Sequence, residues 1–186
     1  GGVDNIFPHH ENEIAQSEAK TGESPFVKYW IHGAHMLVDG KKMSKSLNNF
    51  YTLSDLKEKG FEPLTLRYLF LQTHYRQEMN FTLEALSAAQ NALNKLIKEV
   101  SSYDEPKVGC AEFEEKFKDA INDDLNMPKA IQVMWKMLDE DEEKINFLDK
   151  VKLLNEFDKV FGLELREYIP DSVPWPPEIE KLINER

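Results

Sequence analysis

The chain has 186 residues, 41% hydrophobic and 31% charged, which is ordinary for a globular protein and long enough to bury a core. No apolar stretch approaches the roughly 20 residues that cross a bilayer, and the single cysteine, Cys110, excludes an internal disulfide and fits a reducing compartment. The formal charge of -11 is uneven: residues 1–100 hold 11 Lys and Arg against 12 Asp and Glu, and the remainder holds 12 against 22, a balance that argues against general nucleic-acid binding.

Gly1 stands where Met is usual, with no basic-then-apolar leader after it, so the expected start is a cut or processed end and the expected location is the cytoplasm. Pro8 suits the first turn of a helix over about 9–20, which Gly22 closes. The run Phe26 to Ile31 is aromatic and β-branched and predicts a strand, with Trp30 a core residue. Met36-Leu37-Val38 is a second short apolar run before the turn dipeptide Asp39-Gly40. From Thr52 onward the pattern is helical. Thr52 or Ser54 caps a short helix ending at Gly60, and Pro63 opens the next, with Leu64, Arg67, Tyr68 and Leu71 on one face. Leu86, Ala89, Leu93, Leu96, Ile97 and Val100 form a stripe over 82–100. Helices follow near 111–122, 128–140 and 144–161. Pro170, Pro174, Pro176 and Pro177 then mark a linker before a last helix from Glu178.

Two segments carry chemistry. Lys42-Met43-Ser44-Lys45-Ser46 lies between an apolar run and a helix, and chance produces a given pentapeptide on the order of once in ten thousand such chains. A two-lysine loop in general is a solvated basic loop; these five residues in this order are not well explained that way. The sequence K-M-S-K-S resembles the signature loop of class I aminoacyl-tRNA synthetases, which activate an amino acid with ATP and Mg2+. The resemblance implies ATP binding by Lys42, Ser44, Lys45 and Ser46, with Lys45 catalytic and Lys42 its electrostatic helper. A mobile lysine that meets the charge growing on departing pyrophosphate lowers the barrier without tightening ground-state binding. One such contact is worth about 3–4 kcal/mol.

The second segment is Phe7-Pro8-His9-His10-Glu11-Asn12-Glu13. On a helix, His9 and Glu13 share a face and His10 is turned roughly 100° away, so an imidazole and a carboxylate are placed for half of a zinc site. Alone, such a pair is more often a surface link. With Gly1-Gly2-Val3-Asp4 ahead of it, the stretch resembles the zinc segment of cysteinyl-tRNA synthetases. The resemblance implies Zn2+ held by His9 and Glu13, with two cysteines expected ahead of Gly1; Cys110 is too distant to substitute. Zinc takes a thiolate far better than a hydroxyl, which separates cysteine from serine without an editing step. Asp4 would face the ribose or the amino-acid ammonium, and the backbone of Met36, Leu37 and Val38 would lie against adenine.

The implied fold is mainly α: the remnant of a Rossmann-type α/β catalytic domain, then an antiparallel helical bundle. Four regions are expected. Residues 1–50 end the catalytic domain, 51–105 contact the tRNA stem, 106–169 form an anticodon-binding-type bundle, and 170–186 are linker and helix start. The stretch Asp123 to Ala130 resembles the opening of that bundle, and Thr73-His74-Tyr75-Arg76 the stem-contact region. Arg76, Arg67 and Lys95 are the candidate tRNA contacts. The family's first ATP motif is absent, and Asn48 stands where glycine is common. The expected activity is ATP-dependent joining of cysteine to tRNA(Cys) by a monomer without a membrane partner, carried here by an incomplete piece. The alternatives are a related cysteine:amino-sugar ligase, which needs no long helical half, and a non-catalytic helical interaction fragment that meets a basic partner.

Overall fold

The structure is a computed structural model describing residues 1–44, 47, 49–101, 110–141, 145 and 147–169. Lys45, Ser46 and Asn48, like the proline-rich stretch and the helix expected from 178, lie outside the described residues. The protein is mainly helical with one small sheet. Helix α1 (Glu11–Thr21) precedes strands β1 (Met36–Val38) and β2 (Lys41–Lys42). Helices α2 (Leu53–Glu58) and α3 (Pro63–Leu71) lead to β3 (Met79–Phe81). Four longer helices follow: α4 (Leu83–Val100), α5 (Ala111–Asn122), α6 (Met127–Leu138) and α7 (Phe147–Phe161).

Local chemistry explains most of these boundaries. Thr52 and Asp55 close a reciprocal capping box at the start of α2. Thr82 accepts from the Ala85 amide and Asn126 from the Lys129 amide at the starts of α4 and α6. Gly22 ends α1 with its N–H on the Glu18 carbonyl. Between β1 and β2, Asp39 and Gly40 have φ of 51° and 72°, the mirror-image turn that a two-residue hairpin favours. The Gly40 amide also donates to Asn80 Oδ1 at 2.7 Å, tying the turn to β3. The sheet order is β2-β1-β3, with β1 antiparallel to β2 and parallel to β3.

The core lies in the helical half. The α4 stripe buries Leu86, Ala89, Leu93, Leu96 and Val100, with the expected Ile97 only half-buried, and each large apolar side chain fully buried contributes about 1.5–3 kcal/mol. Phe117 of α5 stacks on Phe157 of α7 at 3.9 Å between ring centres and meets Phe161 edge-on at 5.3 Å. Lys150 is buried, and its ammonium donates to the carbonyls of Leu138 and Glu140 at 2.7 and 2.6 Å, satisfying the end of α6. Gly162 (φ 61°) follows α7. A side chain there would meet the Arg67 guanidinium at 2.8 Å.

Three expectations need correction. Residues 26–31 form no strand: an aromatic and β-branched run needs a neighbouring edge to pair with, and here Tyr29 is 87% and Ile31 60% exposed. Pairing is confined to an isolated bridge between Gly2 and Gly33. Trp30 is not a core residue; it is 36% exposed, against the His10 and His32 rings. On α3 the buried residues are Thr65, Tyr68 and Leu69, where the helix packs on α4 and α6.

Candidate functional site

The lysine loop leaves β2 directly. Lys42 is exposed on that strand, and its carbonyl accepts from Asn49 Nδ2 at 3.1 Å. The other end of the Asn49 amide accepts the Ser44 N–H at 2.9 Å, and the Ser44 hydroxyl accepts from the Leu47 amide at 3.2 Å. One asparagine thus holds both flanks of the loop entrance. The motif draws attention to Asn48; the bonds of Asn49 to Lys42 and Ser44 have no signal in the sequence. Met36 and Leu37 are half-buried on β1, and Val38 is buried in the core.

Glu13 is the centre of a second group. His10 Nδ1 lies 2.6 Å and His9 Nε2 3.8 Å from Glu13 Oε2. Glu13 lies three residues after His10 and four after His9, so it falls between the two diverging imidazoles and meets both. Glu13 is held below the usual carboxylate range, first by the hydrogen bond from His10 and then by the charges of the two imidazoles, against an opposing effect of burial. One donor atom from each of His9, His10 and Glu13 lies within 4.8 Å of the others, and His10 Nε2 is buried with no protein partner. Imidazole nitrogens and a carboxylate oxygen are all donors that zinc takes, so these residues fit the metal. The His10 ring packs against Trp30 at 4.4 Å and His32 at 5.0 Å. Burial first, then the His10 charge, lowers the His32 imidazole below its usual value.

Asp4 sits exposed in the short 3-10 turn Val3–Asn5, beside the strap formed by Gly33 N–H on the Gly1 carbonyl and Val3 N–H on the Gly33 carbonyl. An open, largely apolar cavity of about 740 Å³ lies between this strap and the helices, lined by Gly1, Ala34, Phe70, Tyr75, Leu125 and Val160 among others. The three basic residues expected to meet RNA are differently engaged. Arg67 is an exposed residue whose Nε donates to the Phe161 carbonyl at 2.5 Å in a part-buried bond. Lys95 lies 5.2 Å above the Trp135 ring. Arg76 forks onto Asp124, with Nε on Oδ2 at 2.5 Å and Nη2 on Oδ1 at 3.2 Å.

Both segments lie in the part of the chain that matches a known family. Residues 1–91 match the family described as tRNA synthetases class I (C) catalytic domain. A cysteine–tRNA ligase of Chlamydia muridarum is 45% identical over 91% of the chain and 37% of its own length. That of Chlamydia abortus is 40% identical over 100% of the chain and 42% of its own length. That of Brachyspira hyodysenteriae is 43% identical over 74% of the chain and 31% of its own length. The chain spans about two fifths of the length of the two chlamydial relatives, and it belongs to the cysteine–tRNA ligase family of class I aminoacyl-tRNA synthetases.

Proposed function

We propose that this chain carries the lysine loop, the metal-binding segment and a tRNA-binding helical half of a ligase that joins cysteine to tRNA(Cys). In the first step the cysteine carboxylate attacks the α-phosphate of ATP and pyrophosphate leaves. In the second, a ribose hydroxyl of the terminal adenosine attacks the carbonyl and AMP leaves. Lys45, helped by Lys42, meets the charge on pyrophosphate, and Asn49 keeps the loop entrance folded towards it. Ser44 and Ser46 order the loop around the phosphates. Asp4 and the β1 backbone face the nucleotide and amino acid. His9 and Glu13 hold zinc, with His10 fixing the Glu13 carboxylate from behind. When bound, zinc supplies a soft centre that takes the cysteine thiolate and rejects the serine hydroxyl.

The observation that carries this reading is the grouping of His9, His10 and Glu13 in a chain whose relatives are cysteine–tRNA ligases. Helices α5 to α7 are read as an antiparallel bundle of the anticodon-binding kind, and Lys95 of α4 as a phosphate contact in the stem-contact region before it. That length of helix favours the tRNA ligase over the amino-sugar ligase, which needs no anticodon-binding bundle. The deciding experiment is cysteine-dependent ATP–pyrophosphate exchange by this chain and by a version extended at its amino terminus to the length of its relatives. Exchange in the extended version with charging of tRNA(Cys) is the expected result. No exchange in either, both folded and supplied with zinc, overturns it.

A further inference from the structure

Three consecutive side chains between α3 and β3 converge on one residue of the α5–α6 turn. Tyr75 donates its hydroxyl to Asp124 Oδ1 at 2.6 Å, Arg76 adds its two-pronged fork, and His74 Nε2 lies 3.0 Å from the Asp124 carbonyl. The Arg76 guanidinium also lies 5.1 Å from the centre of the Tyr75 ring. A planar fork on a carboxylate fixes direction as well as distance. The opposite side of the same loop is bonded to the sheet, with Ala34 N–H on the Tyr75 carbonyl at 2.8 Å and Met79 N–H on the His35 carbonyl at 3.2 Å. Strand β1 starts at the next residue and pairs with β2, whose Lys42 opens the lysine loop.

The turn that presents Asp124 is strained. Asp124 and Leu125 both have φ of 54°, a left-handed conformation that aspartate tolerates and leucine rarely adopts. It is held there from several sides: Leu125 N–H bonds the Ile121 carbonyl, Asn126 N–H the Ala120 carbonyl, and the Asn126 side chain caps α6. Strain of this kind persists only where surrounding structure over-determines it.

Two other ties join the 63–81 segment to α6 and α7, and both are at least part-buried: Arg67 on the Phe161 carbonyl, and Trp135 Nε1 on the Tyr68 hydroxyl. The Asp124 tie differs, with Arg76 62% and Asp124 47% exposed. An exposed ion pair adds little stability, so a strained turn and a directed fork spent on one point to geometry. We propose, resting on the function above, that Asp124 is a positioning residue for tRNA charging: gripped by Tyr75 and Arg76, it sets the angle of the helical half against the strand that leads to the lysine loop. Adenylate formation needs only the catalytic side. Transfer needs the RNA, held by the helices, to deliver its end to that side.

The test uses the extended ligase and compares Asp124→Ala, Tyr75→Phe and the double variant. Misaimed by an ångström or so, the Asp124→Ala enzyme loses about 10–100-fold in kcat for charging, with KM for tRNA within about threefold and pyrophosphate exchange within about twofold. Tyr75→Phe, which keeps the Arg76 fork, loses less, and the double variant loses no more than Asp124→Ala alone. Loss in KM alone, additive losses, or exchange and charging falling together with the melting temperature would each overturn the positioning role. Charging by Asp124→Ala at the wild-type rate does so too. Wild-type extended enzyme that neither exchanges nor charges removes the ligase reading itself and this role with it.

Discussion

The first fifty residues and the helices after them are built on opposite terms. From Leu56 to Ile169 the chain closes its own core, whereas Val38 is the one fully buried hydrophobic residue among those described before Leu56. Phe7 is 77% and Tyr29 87% exposed. The amino-terminal segment is held instead by backbone bonds: Gly33 to Gly1, Val3 to Gly33, Ala34 to Tyr75. The segments proposed to carry the chemistry lie in the part that buries least, and the apolar core lies in the helices after them. Functional segments are regularly drawn from the less stable end of a protein in this way.

The sharpest way to break that contrast is to injure each side separately. Phe157→Ala removes a buried ring stacked on Phe117 and costs about 3–5 kcal/mol in urea unfolding followed by circular dichroism. Tyr29→Ala, on an exposed ring, stays within about 0.5 kcal/mol of wild type. Equal losses would mean the amino-terminal segment is part of the same cooperative core. Lys45→Ala in the extended enzyme should do the reverse, lowering the exchange turnover about 100–1000-fold while leaving stability and the KM for cysteine nearly unchanged. A matching rise in KM would place Lys45 in ground-state binding. His9→Ala and Glu13→Ala should each abolish stoichiometric zinc, read by atomic absorption, without moving the unfolding midpoint of the helices. Full metal content in either variant removes that residue from the ligand set.

Much of the helical half is legible in the amino-acid sequence alone. The stripe on α4, the Thr52 cap, Pro63 and Gly162 are local signals, and local signals fix where helices start, stop and face. The misreadings mostly share one cause, which is that the deciding partner lies elsewhere in the chain. Residues 26–31 have strand composition but no edge beside them. The α3 face depends on where α4 and α6 lie. An ideal helical angle separates His10 from His9, yet Glu13 three residues on reaches it. Asp124 lies 48 residues from Arg76, and no periodicity connects them. The lysine pentapeptide needs no geometry, because its information is the order of its residues.

The smallest expected effect refines the boundary between the two regions. Asp124 is held below the usual carboxylate range first by the hydrogen bond from Arg76, then by that from Tyr75, and His74 adds its charge. A lowered folded value means the contribution is complete above an ordinary aspartate value near pH 4 and fades as pH falls through the folded one. Urea unfolding between pH 6 and 2 should therefore be slightly steeper in pH for wild type than for Asp124→Asn (roughly, within the range of exposed pairs). Identical slopes would mean the ion pair contributes nothing in solution.

Lys150 offers a use of a different sort. Its ammonium is buried and engaged with two carbonyls at the end of α6, whereas Lys116, Lys118 and Lys159 are at least half exposed. An amine-selective acylating reagent meets those surface lysines at once and Lys150 only after α6 and α7 part. The rate at which that single site gains mass is then a clock for opening of the helical half, readable in the native protein without a denaturant.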